Sequence, residues 1–189
     1  MSVARLAARG VIGGLFIGHG TQKLMGWFGG PGMSGTEGMM QSLGMHPARR
    51  NALAAGATET AGGALLALGL GTPLASAGLI GVMATAIRKV HAPNGPWVTQ
   101  GGWEYNAVLI AALTVLAEQG PGPVSLDHAL GTERSGAGWG LAALGLGLAA
   151  SAATVEMARR TAPSVPAAGP ASADSLPEPK EVGDPVTAE

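Results

Sequence analysis

Residues 52–87 read ALAAGATETAGGALLALGLGTPLASAGLIGVMATAI, and Glu59 is the single ionisable side chain among them. The stretch is too apolar for a solvated helix. It is also too long for one membrane span, which needs about 20 apolar residues. Two helices turned back on each other satisfy both conditions. The break falls at Gly69-Leu70-Gly71-Thr72-Pro73, where Thr72 can cap the second helix and Pro73 suits its first turn. This places the Glu59 carboxyl at membrane depth. An acid there is expected to face a partner or a cavity and to serve a function.

Composition agrees with a membrane chain. Of 189 residues, 47% are hydrophobic and 12% charged, against about 25% charged in soluble domains. The 32 glycines follow no collagen-like period, so within apolar helices they serve close backbone approach. A net charge of −1 offers no basic surface for nucleic acid. Cysteine is absent, which excludes disulfides, thiol nucleophiles and cysteine-ligated metals.

Five apolar segments are expected, at 5–26, 52–71, 73–90, 104–119 and 137–156. Arg5 and Arg9 precede a short apolar core in the first, as in a signal peptide. No Ala-x-Ala site follows, however, and His19, Gln22 and Lys23 continue the helical register, so a retained helix is expected. Trp97, Trp103 and Tyr105 mark the interface before the fourth segment, and Trp139 marks it near the start of the fifth. Trp27 to Asn51 reads as a long loop, and residues 161–189 as a disordered Pro-, Ala- and acid-rich tail. Gly10, Gly14 and Gly18, with Gly136 and Gly140, suit either a homodimer seam or packing within one bundle. Lys23, Arg49, Arg50, Arg88, Lys89, Arg159 and Arg160 collect on one side, which assigns that side to the cytoplasm.

In an up-down bundle His19 and Glu59 lie at nearly equal depth, each about 10 Å inside one membrane face at helical rise. Arg88, Lys89 and His91 close the third segment on that face, and Glu104 and Asn106 open the fourth there. The polar side chains should therefore converge in one half of the bilayer, leaving the other half almost purely Leu, Ala, Gly and Val. Lys23 by itself reads as a snorkelling cation. Glu59 suits either a protonated carboxyl bonding a neighbouring helix or an anion paired with Lys23 or Arg88. His19, Glu59, His91 and Glu104 include metal-ligand types, but no two lie at the tight spacing of a known site. The candidate ligand-binding residues are His19, Gln22, Lys23, Glu59, His91 and Glu104.

The run Gly14-Leu15-Phe16-Ile17-Gly18-His19-Gly20-Thr21-Gln22-Lys23-Leu24, continuing into Gly26-Trp27-Phe28-Gly29-Gly30-Pro31-Gly32, resembles the signature of the DoxX family. The resemblance extends through Glu59, Gly62-Gly63, Leu65-Leu66, Thr72-Pro73, Met83 and His91 to Gly120-Pro121-Gly122 and Ser125-Leu126-Asp127, about residues 4–131. It implies an all-α, integral membrane four-helix bundle over 1–131; the added fifth transmembrane helix expected over 132–160 and the tail lie outside the family pattern. It also implies a bacterial inner-membrane protein associated with quinone-linked oxidoreductases. The expected function is a subunit or accessory of such a system that binds a quinone or similar amphiphile, with a redox protein as partner. The alternative is a non-enzymatic scaffold or amphiphile carrier that recruits a redox partner. No electron-carrying centre is visible in the sequence, so enzymatic activity stays open.

Overall fold

The computed structural model describes residues 3–163. Their regular structure is all helical, with no strand among the described residues. The helices are α1 (Val3–Met25), α2 (Gly32–Ser42), α3 (Ala48–Leu68), α4 (Thr72–Ala86), α5 (Glu104–Gln119), α6 (Leu126–Ala129) and α7 (Ala137–Arg160). Five of these are the expected apolar segments, each within a few residues of its expected limits. Two helical stretches, Thr72–Asn94 and Ala137–Arg160, are long and apolar enough to cross a membrane. The expected tail lies outside the described residues from position 164 onward.

The α3–α4 hairpin turns where the glycines and proline require. Gly69 closes α3 at φ 66, and Gly71 precedes α4 at φ 57, a left-handed backbone that favours glycine. Capping differs from expectation. Thr72 is the first residue of α4, and its hydroxyl has no partner. The free Thr72 amide instead donates to the Asp127 carboxylate, 3.4 Å away. The short helix α6, 55 residues downstream, thus supplies the cap.

Helix α1 packs along α3, α3 along α4, and α4 against both α5 and α7, which also touch each other. α4 is the central element. It buries Leu79, Ile80 and Met83 in a core shared with Leu66, Leu109, Leu113, Leu116 and Ala143. α1 and α5 share no comparable contact.

The close face of α1 is not the expected Gly10/Gly14/Gly18 stripe. Those three glycines face open space. The approach uses Gly13 against Gly63, where a Cβ on Gly13 would lie 2.5 Å from the Gly63 carbonyl oxygen, and Gly20 against Gly56 and Thr60. Gly13→Val should therefore force α1 and α3 apart, at a cost of about 1–3 kcal/mol or more. Gly14→Val, one position on, should be tolerated. Thermal aggregation midpoints of the two purified variants provide the check.

The loop expected between Trp27 and Asn51 contains α2. Its glycines at 32, 35 and 38 hide the helical signal. Tertiary contact holds it: Thr36 is fully buried, and its hydroxyl bonds the carbonyls of Lys23 and Gly32. Glu37 also pairs with Arg49 at 3.5 Å.

Candidate functional site

Lys23 occupies the last turn of α1, and Glu59 sits near the middle of α3. With the backbones held close by glycine, Lys23 Nζ reaches Glu59 Oε2 at 2.6 Å. The two ends of this pair are unequal: the Glu59 side chain is 3% exposed and that of Lys23 21%. Of the partners expected for Glu59, the structure selects Lys23. The same contact corrects the reading of Lys23 as a purely snorkelling cation.

His19 lies one turn before Lys23. It is exposed on the helix surface, and its imidazole is within electrostatic reach of the Glu59 carboxylate. Gln22 is half-buried against Gly30. Neither His19 nor Gln22 uses its side chain in a hydrogen bond among the described residues. Lys23 spends one of its three N–H donors on Glu59. The α1–α3 edge therefore carries a charged pair with unfilled hydrogen-bonding capacity directed outward.

His91 and Glu104 are held elsewhere. His91 Nδ1 lies 2.7 Å from the Gly101 carbonyl, and Glu104 Oε1 accepts from the Val98 amide at 2.8 Å. Both brace the connection between α4 and α5, and no hydrogen bond or ion pair links them to Lys23 or Glu59 among the described residues. Helix order explains this separation, because α3 and α4 stand between α1 and α5. Of the six candidate residues, the structure joins Lys23 and Glu59 directly, with His19 and Gln22 on the same helix as Lys23.

The opposite end is not the apolar half that the sequence suggested. Arg9 is 2% exposed. Its guanidinium donates to Leu66 O at 3.1 Å and Ala67 O at 3.0 Å in the last turn of α3, to Val124 O at 3.1 Å, and to Pro121 O. Asp127, also buried, caps α4 there and accepts from Thr132 Oγ1 at 2.9 Å. An arginine four residues after Arg5 resembles the flanking charge of any apolar segment, which conceals its role. Its position nearly two turns inside α1 was the available signal.

Among the described residues, no group of three or more His, Cys, Asp or Glu side chains is arranged to hold a metal ion. No curated protein and no solved structure matches the chain. The DoxX family model matches residues 4–92, a narrower span than the expected 4–131. The match runs from α1 to just past the α4 exit, taking in His19, Gln22, Lys23, Glu59 and His91 and leaving out Glu104. Residues 4–92 of this chain are a DoxX domain.

Proposed function

We propose that this DoxX-domain protein is an integral membrane protein with five spans, α1, α3, α4, α5 and α7, in a bacterial inner membrane. Its α1–α3 site binds the polar headgroup of a quinone or similar amphiphile, as a subunit or accessory of a quinone-linked oxidoreductase system. The supporting observation is the 2.6 Å Lys23–Glu59 pair beside the uncommitted side chains of His19 and Gln22. Quinone carbonyls take hydrogen bonds, and His19, Gln22 and Lys23 are donors at successive positions on one helix face. When the redox protein partner takes the two electrons of a bound quinol, the two protons released would pass to Glu59 and His19 by positioned acid–base transfer. The close glycine packing of α1 on α3 leaves the headgroup to approach from the outer edge of the helix pair. There the isoprenoid chain would lie among lipids.

The test is a titration of the purified protein with a short-chain ubiquinone or menaquinone analogue, followed by tryptophan fluorescence. A saturable response is expected. His19→Ala and Gln22→Ala should each weaken it about tenfold, the worth of one hydrogen bond of roughly 1.4 kcal/mol, without moving the unfolding midpoint. No response at saturating ligand would leave the scaffold reading, in which the pair only locks α1 to α3 and a redox protein docks on the outer loops.

A further inference from the structure

We infer that the outer groove between α5 and the exit of α4 is a binding site for one anionic phospholipid, with an acyl chain in the groove and the headgroup at Arg88 and Lys89. The inference rests on the bilayer placement proposed above and is independent of what the α1–α3 site binds.

The groove is shallow and open along its outer side, with a volume of about 710 Å³. Its floor is a single stripe of α5, formed by Trp103, Ala107, Ala111 and Thr114, and its walls include Ile87 from the α4 exit and Leu144 of α7. Both walls belong to the two helical stretches long enough to cross a membrane. The lining is dry in character, since even Thr114 turns its hydroxyl back to the Ile110 carbonyl at 2.8 Å. From Trp103 to Thr114 the stripe rises about 17 Å, close to the ~15 Å depth of one leaflet's hydrocarbon. The two alanines keep the floor low along that length.

Charge decides which amphiphile fits. Ile87 opens a π-helical turn, Ile87–His91, which carries Arg88 and Lys89 at the same end of α4 as this wall of the groove. Arg88 is exposed and Lys89 half-buried, and neither side chain has a hydrogen-bond or ion-pair partner among the described residues. Trp103, 38% exposed, marks the interfacial level at the same end. Two unpaired cations and an interfacial indole at one end of an apolar groove one leaflet long complement a negatively charged headgroup carrying a fatty chain.

The experiment uses the full chain with Trp27, Trp97 and Trp139 replaced by Phe, so that Trp103 alone reports. Phosphatidylglycerol and phosphatidylcholine with brominated acyl chains are titrated in detergent. Phosphatidylglycerol should quench Trp103 saturably, at about one-tenth the concentration that phosphatidylcholine requires. Arg88→Gln with Lys89→Gln should erase that preference while chain quenching remains. Ala111→Phe, at an exposed position, should fill the groove and weaken quenching by either lipid. Equal quenching by the two lipids, or indifference to Ala111→Phe, would overturn the site and leave ordinary surrounding lipid. A dimer in light scattering that Ala111→Phe dissolves would give the groove to a second copy and overturn it too. The bilayer placement itself would fall if neither lipid quenched Trp103.

Discussion

Lys23→Met should be the most damaging single substitution at the α1–α3 site, costing about 3–5 kcal/mol, the usual penalty for stranding one partner of a buried pair. The unequal burial of the two ends sets this expectation. Glu59, 3% exposed side chain in the middle of α3, has nowhere to carry its charge when the ammonium is gone. Lys23, 21% exposed in the last turn of α1, can swing its long stem to the interface when Glu59 is replaced. Glu59→Gln should therefore cost only about 1 kcal/mol, comparable with the loss of an interhelical polar contact in a membrane. Removing both charges, as Lys23→Met with Glu59→Leu, should restore most of the stability. Denaturant midpoints in detergent for the two single variants and the double variant close the cycle. Equal losses for both single variants would show that neither end escapes to solvent. A stable double variant that no longer responds to a quinone analogue would separate ligand binding from helix locking.

Much of the helical layout was legible because the signals were local. A nearly uncharged run broken by Gly69, Gly71 and Pro73 specifies a hairpin of two helices, and the positive φ at both glycines matches that reading. The meeting of Lys23 and Glu59 was approachable from depth, since the count set His19 level with Glu59 and Lys23 follows His19 by one turn on the same helix face. What stayed hidden depended on which way a helix faces. Counting small residues every four positions selected Gly10, Gly14 and Gly18, yet Gly13 and Gly20 make the close approach. Depth also grouped His91 and Glu104 with Glu59, yet both side chains are engaged by the connection between α4 and α5, because lateral order is set by packing. α2 was invisible because its glycines oppose helix formation, and only contacts with α1 and α3 offset that cost.

Arg9→Ala should unfold the other end of the molecule, by about 3–5 kcal/mol. The guanidinium reaches four carbonyls from two segments: Leu66 and Ala67 at the end of α3, and Pro121 and Val124 in the loop after α5. The last-turn carbonyls of a helix carry partial negative charge and lack partners within the helix. A buried cation there satisfies their hydrogen bonds and complements the helix dipole. Without it, several buried acceptors are left unpaired at roughly 1–3 kcal/mol each, with some recovery as the loop opens to solvent. Arg9→Lys should regain less than roughly half of the loss, because an ammonium has three donors at one point rather than a planar fork of five. Gly69 is fitted to the same group: a Cβ there would lie 2.7 Å from Arg9 Cζ, on a backbone already at φ 66. The damage should also spread in a defined direction. Asp127 is anchored through its amide to Gly69 O at 3.0 Å and caps Thr72 through its carboxylate, so loss of Arg9 should loosen the α4 start before it disturbs Lys23–Glu59. Hydrogen exchange on Arg9→Ala should accelerate at 69–73 and 120–132 while the amides around Glu59 stay protected. Uniform acceleration along α1 and α3, or unchanged exchange in the 120–132 loop, would rule out Arg9 as the local clamp.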